Sequence, residues 1–155
     1  MSNVAQLCQE EQSREFKRSQ RLNFVLQEGY LDAEKAKDLK RNIPADSPAE
    51  KMEDIEAGIQ SGKFELLDIY ERREYIGFTV FVIVDFEGGK ELLSIATYAK
   101  GHSDVTIGAM PLLEDFAKAR GCQTIRLHTM RTGLVRKLSE ADWFVSEIIL
   151  RKELN

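Results

Sequence analysis

Residues 75 to 86, YIGFTVFVIVDF, are dominated by valine, isoleucine and phenylalanine. The run is too short to span a bilayer and too rich in β-branched and aromatic residues to prefer a helix. It reads as a strand buried on both faces. Its neighbours in sequence supply partners. KFELLDIYERRE alternates in part between apolar and polar, with Phe64, Leu66, Ile69 and Tyr70 as strand residues. EGG, at 87–89, is a hairpin turn in which glycine supplies positive φ without steric cost. KELLSIATYAKG then returns as a third strand, which makes an antiparallel meander over roughly 64–99.

Downstream the period changes. IGAMPLLEDFAKARG is an amphipathic helix whose apolar stripe is Leu112, Leu113, Phe116 and Ala117, ended by Gly121. CQTIRLHTM is a strand with Ile125 and Leu127 on one side and Arg126 and His128 on the other. TGLVRKLSEA is a short helix with Leu134, Val135 and Leu138 inward, and WFVSEIILRKEL reads as the last strand. A strand–helix–strand step demands parallel pairing, so the expected fold class is α/β with a mixed sheet: a three-stranded antiparallel meander, a strand–helix–strand step, a helix and a final strand.

The first third is different. Residues 3–41 are rich in Gln, Glu, Lys, Arg and Leu and contain no proline, a composition that favours helix. Their apolar positions (Val4, Leu7, Phe16, Leu22, Val25, Leu26) are sparse, as in a helix that packs weakly or waits for a partner. Asp32 is an N-cap for LDAEKAKDLKR. NIPADSPAEK breaks the pattern, with Ser47-Pro48 as an N-cap and first helical residue, and Ile55 and Ile59 recur at helical spacing. The division expected is a helical N-terminal extension over 1–45 and an α/β domain over 46–155.

A net charge of −4 and a pI near 5.3 argue against a domain that holds nucleic acid mainly by electrostatics. Two distant cysteines, Cys8 and Cys122, and two histidines give no zinc-ligand spacing. The first residues turn charged before any apolar run develops, unlike a secretory signal, and no stretch is long enough for a membrane span. An intracellular protein is expected.

The order of elements resembles the GNAT superfamily of acyl-CoA-dependent N-acyltransferases. Three stretches over residues 50–155, about two thirds of the chain, carry the likeness: IEAGIQSGKFELLDIYE, LLEDFAKARGCQTIRLHT and RTGLVRKLSEADWF. The second is similar to the family's helix that ends in Ala-Arg-Gly-Cys before a strand. The third resembles a bacteriophage variant with an Arg-x-Gly-Trp-x-Arg-x-Leu run, matched here by Arg131, Gly133, Leu134, Arg136 and Leu138, with Asp142 and Trp143 following.

The resemblance implies an acyl-CoA site where the sheet splays after its fourth strand. The pantetheine arm bonds to the freed strand edge, and the pyrophosphate meets backbone N–H groups at the start of the next helix. Family members carry Arg/Gln-x-x-Gly-x-Gly/Ala at that turn; this chain reads AKGHSDVTIGAMPLLEDF. Asp104 then falls at the Arg/Gln position, Ile107 at the first glycine and Ala109 at the last position, while a shifted register would use Gly108. A carboxylate beside phosphates is unfavourable, and Ile107 adds bulk where the backbone needs close approach. Tyr98 and Arg131 complete the implied cofactor-binding set. The family's tyrosine in the last helix has no counterpart in TGLVRKLSEA, which leaves Glu91 and His128 as candidate bases and Tyr98 as candidate acid.

On this basis the expectation is a phage-type GNAT-fold protein without catalysis, acting in virion assembly, as an internal virion component or in host-factor binding. It would need no cofactor and would dock a protein partner through its N-terminal helices, in the host cytoplasm or a virion. The alternative is an active N-acetyltransferase using acetyl-CoA on an unidentified amine. A relative that modifies DNA bases is disfavoured by the acidic charge, so nucleic acid is not an expected partner.

Overall fold

The computed structural model describes residues 23–42, 52–100, 105–129 and 132–148, with residues 6, 9–12, 150, 152 and 154. The apolar run became β3 (Glu74–Phe86), in which Phe78, Val80 and Phe81 are wholly buried. Phe78 and Val80 face one layer of the core and Phe81 the other, as the two-residue period of a strand requires. Burying side chains of this kind contributes roughly 1.5–3 kcal/mol each.

β2 (Glu65–Glu71) and β4 (Gly89–Ala99) pair antiparallel on either side of β3, which gives the expected meander. α3 (Val105–Ala119) then carries the chain to β5 (Thr124–Leu127), which pairs parallel to β4. Gly121, at φ 82°, closes α3, with Cys122 N–H donating to Ala117 O at 2.9 Å. A short helix, α4 (Thr132–Ser139), follows β5.

The stretch around residue 25, read as helix from composition, is instead β1 (Phe24–Glu28), antiparallel to β2. The mixed sheet therefore runs β1-β2-β3-β4-β5. Pairing and burial override the weak helical preference: Phe24 is buried and Leu26 half-buried on the core side, while Val25 and Gln27 face solvent. The boundary placed near residue 45 and the Ser47-Pro48 cap lie outside the described residues. The helical reading of LDAEKAKDLKR does correspond to an element, α1 (Ala33–Asn42), with Asp32 as its cap: Lys35 N–H donates to Asp32 Oδ1 at 2.8 Å.

α1 and α2 (Met52–Gln60) cover one face of the sheet, where Leu39 and Ile55 pack with Phe64, Leu66, Phe78 and Val80. α3 covers the other face through Leu113 and Ala117, against Leu67, Phe81 and Leu92. Cys122 is buried in that same cluster.

The final strand expected from WFVSEIILRKEL is not part of the sheet among the described residues. Phe144, Val145, Ile148, Leu150 and Leu154 are exposed instead. Trp143 is drawn back toward the helices, its indole N–H donating to Glu114 Oε1 at 3.1 Å. Glu147 reaches β5 through its side chain, on Arg126, rather than through a backbone ladder. Strand propensity forms a strand only where an edge accepts the backbone. Among the described residues no helix is long and apolar enough to cross a membrane.

Candidate functional site

β4 is paired on both sides only over its first half. Its ladder with β5 runs from Glu91↔Thr124 to Ser94↔Leu127 and stops. At that point the β3–β4 register shifts, from Phe81↔Ser94 to Val80↔Ala96, which leaves Ile95 as an extra residue on β4. A bulge bends its strand and redirects the edge beyond it. From Ala96 to Ala99, β4 continues to pair with β3 but has no β5 partner. The result is a splay with a strand edge that is free among the described residues.

Three hydroxyls knit the strands together at the splay. Thr79 and Thr97 hydroxyls lie 2.8 Å apart and Ser94 Oγ is 3.2 Å from Thr97 Oγ1, while Thr79 also donates to Ala96 O at 3.4 Å. Thr79 and Ser94 are buried, so these contacts satisfy hydroxyls that would otherwise be costly inside the sheet.

The candidate cofactor residues divide. Asp104 and Arg131 lie outside the described residues, and Ile107 falls in α3 with its side chain undescribed. Gly108 is buried against β1: a Cβ there would sit 2.0 Å from a ring carbon of Phe24. Ala109 is buried with Phe24, Ile69 and Ile76. Both residues serve the approach of α3 to the sheet. Tyr98 lies on the free part of β4, half-buried, with its ring 6.1 Å from that of Phe78.

The candidate catalytic groups are not brought together. Glu91 and Tyr98 sit near opposite ends of β4, which at about 3.3 Å per residue separates them by roughly 20 Å. Glu91 accepts from Thr124 Oγ1 at 2.9 Å and pairs with Arg126 Nε at 2.9 Å, so it ties β4 to β5. His128, at the end of β5, lies 3.8 Å from Glu147 Oε1 and is well exposed. Arg126 joins the two acids, bonding Glu147 at 3.3 Å as well as Glu91.

A cluster that forms no motif in the sequence lies on the α1 face. A cavity of about 250 Å³ is lined by Tyr30, Tyr70 and Tyr75, by Asp32, Glu34 and Asp68, and by Lys35. Lys35 and Asp68 form a buried ion pair at 2.7 Å, and Lys35 also donates to Tyr30 O at 2.7 Å. Burial, and then the negative field of Asp68, Asp32, Asp38 and Glu34, holds the Tyr75 phenol well above its ordinary pKa. One signal was available in the sequence: Asp68 interrupts the apolar strand LLDIY, and a buried carboxylate needs a partner. A second cavity, of about 500 Å³, lies near the end of α2 and the start of β2, bordered by Glu65 and Arg120, away from the free edge of β4. Among the described residues no group of three or more His, Cys, Asp or Glu could hold a metal ion.

Against known structures the chain aligns over most of its length with acetyltransferases. A Pyrococcus furiosus protein named as an acetyl transferase matches at TM-score 0.60 and 18% identity, over 84% of this chain and 99% of that one. The GNAT fold is the fold of this chain. Ribosomal-protein-alanine N-acetyltransferase from Brucella melitensis shares the GNAT fold with it at TM-score 0.56 and 21% identity, over 84% and 99% of the two chains. An acetyltransferase from Clostridium acetobutylicum, solved with acetyl-CoA, matches at TM-score 0.52 and 15% identity, over 85% and 96%. No family model and no curated protein matches the sequence.

The free edge suits the cofactor that the GNAT fold implies. On the side of β4 away from β3, the backbone groups of Ala96–Ala99 have no ladder partner among the described residues, and an extended chain such as a pantetheine arm laid beside that edge would satisfy both sets. The start of α3 supplies helix N–H groups close by in sequence.

Proposed function

We propose that the chain is an acyl-CoA-dependent N-acyltransferase. The observation that carries this reading is the release of β4 from β5 at the Ile95 bulge, which leaves Ile95–Ala99 without a partner on the β5 side among the described residues. That edge would hold the pantetheine amides, and the first turn of α3 the pyrophosphate. Acetyl-CoA, when bound, supplies an activated acyl carbon. Tyr98 is the titratable side chain on the free edge. Glu91 and His128 hold the paired strands and the chain after α4 in place, through Arg126 and Glu147. An amine acceptor in this arrangement loses its proton to water or to the leaving thiolate, because Glu91 is committed elsewhere.

A second reading, a phage-type protein that has kept the GNAT fold without its chemistry and binds a protein partner through its N-terminal segment, draws on the helix α3. Gly108 is spent on packing against Phe24, and the sequence has Asp104 and Ile107 where the phosphate turn needs a cationic or polar group and a glycine. Virion assembly or host-factor binding would then be its role.

Calorimetric titration of the full chain with acetyl-CoA, beside an Asp104→Arg variant, separates the two. Micromolar binding by the natural sequence is the expected result. Absent binding, restored in the variant, would overturn the enzyme reading in favour of a retired cofactor site.

A further inference from the structure

We propose that the cavity between the start of α1 and the adjoining ends of β2 and β3 is the acceptor site, and that its substrate is a linear diamine or polyamine. The inference rests on the acyltransferase reading above and gives it a substrate class.

The cavity already shows which group it stabilises. The ammonium of Lys35 sits 2.7 Å from Asp68 Oδ1, donates to Tyr30 O at 2.7 Å, and lies 5.2 Å and 5.6 Å from the ring centroids of Tyr30 and Tyr75. A carboxylate, a carbonyl and aromatic faces together form an ammonium cage. Lys35 neutralises Asp68, and the lining still carries the carboxylates of Asp32 and Glu34, with no second cation among the described residues. Tyr70 and Tyr75 stack edge to face at 5.9 Å and extend the aromatic wall. Tyr75 adds a buried hydroxyl with no hydrogen-bond partner among the described residues, a group able to accept from an incoming N–H.

The position matches an acceptor site. Tyr75 opens β3, and the β3–β4 register places Gly77 opposite Ala99 and Phe78 opposite Tyr98. Lys100 N–H donates to Ile76 O at 2.8 Å, so the pairing reaches the end of β4 next to Tyr75. Tyr75 and Tyr98 pack on the same core cluster and therefore share the α1 face of the sheet. Adjacent strands lie about 4.8 Å apart, which puts the cavity roughly 5–10 Å from the free edge of β4.

An ammonium held among carboxylates stays protonated and has no lone pair to offer. A monoamine caught there would be bound and inert. A second amine on the same molecule escapes this constraint, and an extended chain of about six bonds spans the distance. That amine, unprotonated, forms a C–N bond to the thioester carbonyl carbon. The C–S bond breaks with its electron pair on sulfur, and the proton lost by the nitrogen ends on that sulfur, which gives an amide and a thiol.

The test uses the full chain. Spermidine and 1-aminobutane are titrated calorimetrically without acetyl-CoA, into the natural sequence and into an Asp32→Asn/Glu34→Gln double variant. Both altered side chains are exposed, and asparagine keeps the helix cap, so thermal melting should be unchanged. Spermidine should bind at least about tenfold more tightly than 1-aminobutane, and the double variant should lose about tenfold of that affinity. Equal affinities for the two amines, or spermidine affinity unchanged in the double variant, would overturn the proposal. With acetyl-CoA present, mass spectrometry should show acetylated spermidine and unmodified 1-aminobutane. Acetyl-CoA binding without spermidine binding would overturn the substrate class alone. Variant-sensitive spermidine binding with no acetyl-CoA binding would overturn the acyltransferase reading and leave the cavity's ligand chemistry standing.

Discussion

The ammonium of Lys35, on the first turn of α1, lies 2.7 Å from Asp68 Oδ1 in the middle of β2, with both side chains buried. The pair joins the helical layer to the sheet beside the cavity lined by Tyr30, Tyr70 and Tyr75. Replacing one member strands the other. Lys35→Met should therefore cost about 3–5 kcal/mol, the usual penalty for a buried charge left alone. The double variant Lys35→Met/Asp68→Leu should recover most of it. Urea denaturation of the two variants and the natural sequence measures both effects, and a double variant as unstable as the single one would mean the pair is not the cause.

Gly108 and Phe24 should behave as a coupled pair. A methyl at Gly108 meets the Phe24 ring at 2.0 Å, so Gly108→Ala should destabilise by about 1–3 kcal/mol through overpacking. Adding Phe24→Leu should relieve part of that loss, and a double-mutant cycle reads the coupling. Independent, additive effects would instead return Gly108 to a role in the phosphate turn.

The β2–β3 turn holds Arg72 and Arg73 at φ 48° and 70°, in the left-handed region that disfavours side-chain-bearing residues. Two-residue hairpin loops of this kind prefer Asn-Gly. Arg72→Asn/Arg73→Gly should stabilise the chain by about 1 kcal/mol, visible as a higher melting temperature.

The Tyr75 phenol, raised above the ordinary 10.0, binds its proton more tightly in the folded than in the unfolded chain. Its contribution to stability is therefore complete below pH 10 and is lost as the pH climbs beyond it toward the folded value. The natural sequence should lose stability on that alkaline limb, and Tyr75→Phe should flatten it. Denaturation midpoints between pH 9 and 11 provide the check. Because the hydroxyl is buried without a hydrogen-bond partner among the described residues, the same substitution should be neutral or slightly stabilising at pH 7.

Much of the fold was legible in local pattern. The β2–β3–β4 meander, the α3 stripe and the β4–β5 step all follow from periods of two and 3.6 residues that each element shows by itself. β1 was hidden because FVLQE is too short to outweigh the helical composition around it, and Val25 between Phe24 and Leu26 breaks the apolar–polar alternation of a strand. The site was less legible. Glu91, Tyr98 and His128 were singled out by residue type, and only the folded chain shows Glu91 tied to Arg126 and Tyr98 on the part of β4 beyond the β5 ladder. The cavity of Lys35, Asp68 and Tyr75 was invisible as a motif, since its members come from α1, β2 and β3.

The amino-acid sequence by itself determined the class of the fold and the identity of its central strand, because hydrophobic periodicity acts within a few residues of the chain. Tertiary structure alone decided where β4 parts from β5, which glycine packs against which ring, and which carboxylate keeps a lysine. Those outcomes depend on the register between strands and on burial, which join residues distant in sequence and leave no trace in local spacing.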